Sequence, residues 1–401
     1  MELAELIALR PRPAGGVLVT LTRRCPMSCA HCSTASTMET REEPDPVQLL
    51  AFTDSFTPAD RPEVLLLTGG EPLLLPETAA RLARSARAAG TRTALLSGMF
   101  FARSRKVPDR LLNAVAELDH FSASLDAHHE REVERAAVFR ALRAVRETGV
   151  AVSFHLTGTG PDDPYLADVT RAVDREFGGT VPALVNEVRA VGRAAAWAGP
   201  ARTTGPAAGP GGDPGPCAMA AWPVVAFDGT VLACCNQDVV DRRPAPAHLR
   251  LGHVAGDDWA TVRRRALESP VLRMIRTVGP VALRSRYAPG APGAAVAPRT
   301  GSSCGDCRAL GSGAGPAPEV VAVAGGAAGA LLDATAARRA GAAGPVALVR
   351  RYGCAAYAPL VVARGPAAPA APAVGGADER SGSGAGARAD SRARTGPEVS
   401  G

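Results

Sequence analysis

Between residues 16 and 195 the chain alternates short apolar runs with helical stretches, and this alternation constrains its fold more than any other feature. The runs are GVLVTL (16–21), EVLLLTG (63–69), TRTALLSG (91–98), HFSASLD (120–126), VAVSFHL (150–156) and ALVNEVR (183–189). Short apolar runs that end in small or polar residues are typical of strands buried on both faces. Of the stretches between them, PETAARLARSARAAG begins near a proline and ends at a glycine, and EREVERAAVFRALRAVRETG spaces its apolar residues by three and four. Both patterns indicate helices.

Strands separated by helices predict parallel pairing through right-handed crossovers. Six such units predict an α/β fold, a partial, open (β/α)6 TIM-like barrel over residues 14–198. In barrels of this kind the site lies at the carboxyl ends of the strands. Cys25 follows the first run, Gly69 to Pro72 follow the second, and Ser124 and Asp126 close the fourth.

The rest of the chain divides by composition. Residues 199–216, GPARTTGPAAGPGGDPGP, predict a linker. A small cysteine-bearing region is expected over 217–312, where WPVVAFDGTVLACC predicts two strands around an Asp228-Gly229 turn. Residues 313–363 are expected to be a weak α/β appendage, and residues 364–401 a disordered tail.

Charge and hydropathy exclude several classes of function. The net charge is +6, but the arginines alternate with acids along helical stretches, which favours a solvated, salt-bridged face over nucleic-acid binding. No run reaches the roughly 18 apolar residues of a membrane span, and the first residues lack a secretory pattern. We therefore expect a soluble, cytoplasmic protein, in which clustered cysteines indicate metal binding or catalysis before disulfides.

Three cysteines, Cys25, Cys29 and Cys32, lie close together in the segment CPMSCAHC. Three thiolates can hold three irons of a 4Fe-4S cluster and leave the fourth iron open to a non-protein ligand. The alternative is a zinc site with His31 as the fourth ligand, although such close spacing makes tetrahedral closure awkward.

The C-x3-C-x2-C spacing resembles the signature of the radical S-adenosylmethionine (SAM) superfamily, and GGEP on the second strand resembles a second motif of that family. The resemblance implies a 4Fe-4S cluster on the three cysteines, whose open iron chelates the methionine part of SAM. It also implies reductive cleavage of SAM to a 5′-deoxyadenosyl radical that abstracts hydrogen from the substrate. Glycines allow close backbone approach to a ligand, and a carboxylate suits the SAM ammonium group.

The resemblance implies further cofactor-binding residues. In the GGEP segment these are Gly69, Gly70, Glu71 and Pro72. SASLD resembles the segment near the SAM ribose and carboxylate, which implies roles for Ser124 and Asp126, and VRAVGRAA resembles the segment along the adenine, which implies roles for Val191 and Gly192. Without the resemblance, Glu71 and Asp126 would be expected as helix caps, and His128 and His129 on an exposed surface.

A second cysteine group resembles the SPASM and twitch extensions of that superfamily. Its pattern is C-x11-G-x4-C followed by SSCGDC, and no cysteine follows the pair closely enough for a full SPASM extension. The twitch resemblance implies one auxiliary 4Fe-4S cluster on Cys217, Cys234, Cys304 and Cys307. Cys235 is an alternative to Cys234, because adjacent residues of a strand point to opposite faces. A zinc ribbon on the same thiols stays open, and Cys354 is expected to be a buried, non-ligating residue.

The resemblance implies a radical SAM oxidoreductase or peptide-modifying enzyme. The favoured substrate is a ribosomally synthesised peptide in natural-product biosynthesis. The alternatives are dehydrogenation of a small molecule such as an aminocyclitol, and an iron-sulfur or zinc scaffold without SAM chemistry. The implied partners are the substrate and an electron donor such as flavodoxin or ferredoxin. These motifs indicate how a radical is made, but they do not identify the substrate.

Overall fold

A nine-stranded sheet forms the centre of the protein in the computed structural model, which describes residues 1–198, 215–287, 302–311 and 316–365. These residues belong to one unit, Met1–Pro366. The expected linker at 199–216, up to residue 214, and the expected tail from residue 366 onward lie outside the described residues.

The sheet has the strand order β6-β5-β4-β3-β2-β1-β7-β8-β9. Its strands are β1 (Gly16–Thr20), β2 (Val64–Thr68), β3 (Arg92–Ser97), β4 (His120–Asp126), β5 (Ala151–Gly158), β6 (Ala183–Glu187), β7 (Val224–Val225), β8 (Thr230–Leu232) and β9 (Arg250–His253). All neighbours from β6 to β7 pair in parallel, and β8 pairs antiparallel with both β7 and β9. The first six strands confirm the expected open, partial (β/α)6 barrel.

The described helices flank this sheet. They are α1 (Leu3–Leu9), α2 (Pro46–Asp54), α3 (Pro76–Ala88), α4 (Asp109–Val115), α5 (Arg135–Arg146), α6 (Pro164–Phe177), α7 (Gln237–Val240), α8 (Trp259–Glu268), α9 (Pro270–Thr277), α10 (Pro280–Arg286), α11 (Ser303–Ala309), α12 (Pro318–Gly325), α13 (Ala327–Ala342) and α14 (Gly344–Tyr352).

Both helices read from the sequence, α3 and α5, are confirmed, and local signals explain where they begin and end. Pro76 begins α3 at a position where the missing N–H has no helical partner. Along α5 the buried residues Val138, Leu142 and Val145 recur at helical spacing and face the sheet. The register Thr20↔Thr68 brings the carboxyl ends of β1 and β2 to the same edge, where both motifs follow.

The predicted two-stranded turn around Asp228 and Gly229 is confirmed. The Asp228 carboxylate accepts a hydrogen bond from the backbone N–H of Thr230 at 3.0 Å, and Gly229 has a φ of +84°, which glycine adopts at little cost. The hairpin does not form a separate sheet, because β7 pairs with β1 through Leu18↔Val224. The cysteine-bearing region therefore continues the sheet of the barrel.

The described residues of the expected α/β appendage are helical. Residues 316–363 form α12 to α14 and a 3-10 helix, Ala355–Val361, with no strand among them. These Ala-rich segments have high helix propensity and lack the alternation of a half-buried strand. A buried ion pair between Arg276 and Asp333, 2.6 Å, joins α13 to α9.

Within the described part of the chain, no single helix is long and apolar enough to cross a membrane. The bent pair α12 and α13, at 68° to each other, passes that test of length and composition only when taken together.

Candidate functional site

The first cysteine group lies on the loop that follows β1, at the carboxyl edge of the parallel strands. Cys25 donates its backbone N–H to Thr37 at 3.1 Å, and Cys32 donates its N–H to Cys29 at 3.1 Å, which folds the loop back on itself. Burial, with smaller contributions from Glu71 and the Cys29 and Cys32 thiols, raises the pKa of Cys25 to about 12. The structure therefore brings the three predicted thiols together as free cysteines.

Cys32 differs from Cys25 in its electrostatic surroundings. Burial raises the pKa of Cys32, but hydrogen bonds from Thr34 and from the backbone of Ser36, together with the Arg193 guanidinium, lower it below its ordinary value. The Thr34 hydroxyl lies 3.3 Å from the Cys32 sulfur. This thiol is thus prepared to act as a thiolate ligand.

The GGEP segment packs directly against the start of the cysteine loop. The N–H of Gly70 donates to the Thr22 carbonyl at 2.6 Å, and the N–H of Glu71 donates to the Arg24 carbonyl at 2.9 Å. A Cβ on Gly70 would lie 2.4 Å from the Arg24 oxygen, and Gly69 has a φ of +144°. These glycines allow the end of β2 to approach the cysteine loop, a role that the sequence alone did not indicate.

Glu71 is fully buried and has partners within the chain. Its carboxylate accepts hydrogen bonds from the Leu73 N–H at 3.0 Å, the Ser97 hydroxyl at 3.1 Å and the Gly98 N–H at 2.9 Å. Burial raises its pKa to about 7 against the lowering effect of these donors. The carboxylate caps the 3-10 helix Pro72–Leu74, which is the structural alternative to cofactor binding for this residue.

Asp126, at the end of β4, is the centre of a histidine cluster. Its Oδ2 lies 3.1 Å from His31 Nε2 and 2.6 Å from His129 Nδ1, and its Oδ1 accepts the backbone N–H groups of His128 and His129. Burial raises the pKa of Asp126, but the two imidazoles lower it well below its ordinary value. Ser124, half-buried, pairs in register with His155 of β5.

The expectation that His128 and His129 are surface residues is wrong. Asp126 turns the chain back over the end of β4, so that the His129 side chain is only 12% exposed. Burial lowers the pKa of His129, but Asp126 and the neighbouring Cys29 thiol raise it to about 10. The His31 and His128 rings stack 4.9 Å apart, and Trp197 lies 5.3 Å from His128. The only sequence signal for this cluster was the position of the histidine pair directly after a strand end.

His31 uses one ring nitrogen within the histidine cluster. Its Nε2 lies 3.1 Å from Asp126, whereas its buried Nδ1 has no hydrogen-bond partner among the described residues. The ligand atoms of His31, Asp126 and His129 lie within 4.8 Å of one another and could hold a cation of their own.

Gly192, which the resemblance predicts as a cofactor-binding residue after the sixth strand, packs against the end of the cysteine loop. Its φ is +57°, and a Cβ there would lie 2.4 Å from the Cys32 carbonyl oxygen. Next to it, Arg193 donates to Cys32 through its backbone N–H and to Cys29 through Nε, both at 2.9 Å. Val191 is extended and adds no side-chain hydrogen bond. No sequence motif indicates a role for Arg193, which joins the loops that follow β1 and β6.

The second cysteine group gathers from three separated segments. Cys217 donates its N–H to Ile275 of α9 at 3.0 Å. Asn236 joins two of the others, because its backbone N–H lies 3.4 Å from the Cys234 sulfur and its side-chain amide 3.5 Å from the Cys304 sulfur. The Cys307 sulfur lies 3.9 Å from His248 Nε2.

Cys234 and Cys235 follow the end of β8. Since β8 ends at Leu232, the alternation of a strand does not apply at residues 234 and 235. Both thiols interact electrostatically with the other cysteines of the group, Cys234 with Cys217 and Cys307, and Cys235 with Cys217 and Cys304. The site therefore contains five thiols, one more than the sequence analysis expected.

The pair Cys304 and Cys307 lies on the short helix α11, three residues apart and thus on one face. Ser302 caps this helix by accepting the Gly305 N–H at 3.0 Å. Between the two cysteines, the buried Asp306 pairs with Arg284 of α10. Cys354, by contrast, is fully buried away from both groups, as expected.

The donor sets fit the groups that the sequence motifs imply. All nine cysteines lie in the described residues and are free. At the second group burial and the neighbouring thiols raise the pKa of Cys217 to about 11, and burial raises that of Cys307 to about 12. These thiols are close together and difficult to deprotonate. A bound metal cation would stabilise them as thiolates.

Part of the chain is similar to known proteins. The family model of the Radical SAM superfamily matches residues 19–173. Pre-heme d1 synthase of Dinoroseobacter shibae is 29% identical over 175 residues, which are 41% of this chain and 41% of that protein. The chain thus spans about two fifths of the length of this curated relative.

Three solved structures are similar at low identity. BtrN in complex with AdoMet and 2-DOIA is 14% identical with a TM-score of 0.41, covering 67% of this chain and 89% of BtrN. anSMEcpe with bound AdoMet and Cp18Cys peptide is 12% identical with a TM-score of 0.42, covering 62% and 79%. Streptococcus suis SuiB bound to S-adenosylmethionine is 10% identical with a TM-score of 0.46, covering 69% of each chain.

The matched residues 19–173 contain the three-cysteine loop, the GGEP segment and the end of β4, all at one edge of the parallel strands. Over residues 19–173 the chain is similar to the radical SAM superfamily.

Proposed function

We propose that the protein is a radical SAM enzyme whose 4Fe-4S cluster is held by Cys25, Cys29 and Cys32. The observation that carries this proposal is the convergence of three free thiols at the carboxyl edge of the barrel, within the residues that match the family. Three thiolates leave one iron without a protein ligand, which is where the amino and carboxylate groups of SAM would bind. When bound, the reduced cluster supplies the electron that cleaves SAM to methionine and a 5′-deoxyadenosyl radical.

The residues around the loop hold it in shape for this ligand. Gly70 and Glu71 fasten its start through two backbone hydrogen bonds, and Arg193 fastens its end through Cys29 and Cys32. With three donors already on the Glu71 carboxylate, its remaining acceptor capacity would serve the SAM ammonium.

Asp126 and Ser124, at the end of β4, would face the ribose and carboxylate of SAM, and Val191 and Gly192 would lie along the adenine. The stacked rings of His31 and His128 would cover the cluster from the side of Trp197.

The second cysteine group would hold an auxiliary 4Fe-4S cluster of the twitch type. Cys217, Cys304 and Cys307 supply three ligands, and Cys234 or Cys235 the fourth. A cluster with four thiolates has no open iron, which favours electron transfer over direct binding of the substrate. An external donor such as flavodoxin or ferredoxin would reduce the SAM cluster.

For the substrate we propose a ribosomally synthesised peptide of a natural-product pathway, the broader class among radical SAM enzymes with an auxiliary cluster. Oxidation of a small alcohol, such as that of an aminocyclitol, is the second candidate, because a fully ligated cluster can accept the substrate electron. A short precursor-peptide gene beside the coding gene would favour the first class, and a sugar aminotransferase gene the second.

SAM cleavage tests the proposal. Anaerobically reconstituted protein, given SAM and a strong reductant, is expected to release 5′-deoxyadenosine, which chromatography measures. Cys29→Ala should abolish the product, whereas Cys354→Ala, at a buried cysteine outside both groups, should retain it. Normal cleavage by Cys29→Ala would refute the assignment.

Metal analysis tests the second group separately. About eight irons per chain are expected for two clusters, whereas about four irons with one zinc would identify a zinc ribbon at the second group. Bound iron without release of 5′-deoxyadenosine, or zinc in place of iron, would support the iron-sulfur or zinc scaffold without SAM chemistry.

A further inference from the structure

We propose that Arg10 is the charge partner of the second cysteine site and raises the reduction potential of the cluster held there. This inference rests on the proposed auxiliary cluster. It concerns a residue that belongs to neither cysteine motif and that precedes the barrel in the sequence.

Arg10 follows directly after α1 and reaches the segment that begins at Cys217. Its guanidinium lies 4.2 Å above the Trp222 ring, and its Nη2 lies 3.6 Å from the Met219 sulfur. Met219 lies two residues after Cys217 in the chain, and the Cys235 and Cys217 thiols raise the pKa of Arg10 against the effect of burial. The guanidinium is therefore placed beside the segment that carries Cys217.

Several contacts fix this placement. The Trp222 indole N–H donates to the Leu9 carbonyl at 3.1 Å, and the Ala14 N–H donates to the Ala221 carbonyl at 2.7 Å. On its other side Trp222 packs against Gly16 of β1, where a Cβ would lie 2.7 Å from the ring. The fully buried indole thus holds Arg10 in one position relative to Cys217.

Arg10 has no carboxylate partner among the described residues, and the same holds for Arg189, which lowers the pKa of Cys304. Two other arginines near the site are paired. Arg308 pairs with Asp238 and Arg284 with Asp306. Burial lowers the pKa of Arg10, and the Cys235 and Cys217 thiols oppose this. A desolvated cation is costly unless an anion compensates it, and the cysteine site is the anion within reach.

A fixed positive charge stabilises the more negative, reduced state of a neighbouring cluster. Removing the charge should therefore lower the reduction potential. Arg10 would not be a ligand of the cluster. Its guanidinium, held by Trp222 and Met219, would act on the cluster by electrostatic interaction across space.

The experiment uses the full chain with Cys25, Cys29 and Cys32 replaced by alanine, so that only the second site can hold a cluster. In this parent, the variants Arg10→Gln, Arg10→Lys and Arg12→Gln are reconstituted, and the midpoint potential is measured by a titration followed by electron paramagnetic resonance. Arg12 is the matched control, because it is exposed and pairs with Glu63.

We expect Arg10→Gln to shift the potential to a more negative value, with Arg10→Lys and Arg12→Gln close to the parent. Loss of the cluster in Arg10→Gln, but not in Arg10→Lys, would also support a requirement for the charge.

An unchanged potential in Arg10→Gln would overturn the inference. An equal shift or an equal cluster loss in Arg10→Lys would also overturn it, because packing and not charge would then matter. A parent that binds zinc or no iron overturns it together with the auxiliary cluster, and SAM cleavage by the wild type then tells whether the radical SAM proposal survives.

Discussion

Single glycines decide how closely the strand ends approach the cysteine loop. Gly192 and Gly178 have nearly the same backbone, with φ values of +57° and +58°. A Cβ at Gly192 would meet the carbonyl oxygens of Ser33 and Cys32 at 2.3 and 2.4 Å, whereas a Cβ at Gly178 would meet nothing within 4 Å. The two positions therefore separate steric contact from backbone strain.

We predict that Gly192→Ala impairs cluster binding at the first site and that Gly178→Ala does not. The added methyl group must displace the loop that carries Cys32, and both variants pay a similar strain of about 1 kcal/mol. Iron content after reconstitution and SAM cleavage measure the effect. Equal iron content in the two variants would show that the loop tolerates the contact.

His120 contributes a pH dependence that is independent of the cysteine sites. Its ring is buried, with Nδ1 2.9 Å from the Met1 carbonyl and Nε2 2.9 Å from the Ser153 hydroxyl. Burial lowers its pKa to about 4, so the fold favours the neutral ring. The stabilisation that the neutral ring provides is complete above the unfolded pKa of about 6.5 and is lost as the pH falls through about 4.

We predict that His120→Gln flattens the acid side of the stability profile. Between pH 8 and pH 5 the wild type should lose on the order of 2 kcal/mol of unfolding free energy through this group, and the variant should not. Urea unfolding at both pH values measures the difference between the two proteins. Identical pH dependence in both would show that His120 titrates normally in the fold.

Among the elements, helix α11 is the one whose position most directly affects the second cysteine group. It is short, and the Arg284–Asp306 pair connects it to α10. Breaking a buried ion pair by removing one charge costs about 3–5 kcal/mol. The chain has a comparable buried ion pair between Arg276 of α9 and Asp333 of α13. Neither α9 nor α13 contains a cysteine, so this pair is the matched control for Arg284–Asp306.

We predict that Asp306→Asn loses metal at the second group, whereas Asp333→Asn lowers stability without that loss. The first substitution releases Cys304 and Cys307 from α10. The second weakens the contact of α13 with α9, while Arg276 keeps its hydrogen bonds to the Ala220 and Ala266 carbonyls. Metal content measures the first effect, and thermal unfolding measures the second. If both variants kept full metal content, the ion pair would not position the cysteine pair.

At the scale of the whole molecule, the two cysteine regions share one sheet. β7 pairs in parallel with β1, the Thr20 hydroxyl donates to the Val225 carbonyl at 2.8 Å, and Trp222 packs on Gly16. Residues 1–198 by themselves would leave this edge of β1 unpaired and its apolar surface exposed.

We therefore predict that a fragment of residues 1–198 aggregates, although it contains the three cysteines and GGEP. Size-exclusion chromatography of the fragment beside the full chain is the measurement. A monomeric fragment with a sharp thermal transition would contradict the prediction and show that the barrel folds alone.

Local patterns were enough to predict the six parallel strands, the helices between them and the hairpin at Gly229, because burial on both faces and turn geometry depend on neighbouring residues. They were also enough to indicate the three-cysteine loop and GGEP. The expected exposure of His128 and His129 was wrong, because their positions depend on Asp126 and on His31 from a distant loop.

The sequence by itself determined the barrel and indicated the cysteines of the first loop, since spacing along the chain specifies which residues a strand or a tight loop brings together. Only the tertiary structure decided which residues surround the cysteines: Arg193 on the first loop, Arg284 behind α11, and Arg10 beside Met219. Each of these contacts joins residues far apart in sequence. They form only when whole elements pack, and no local periodicity records them.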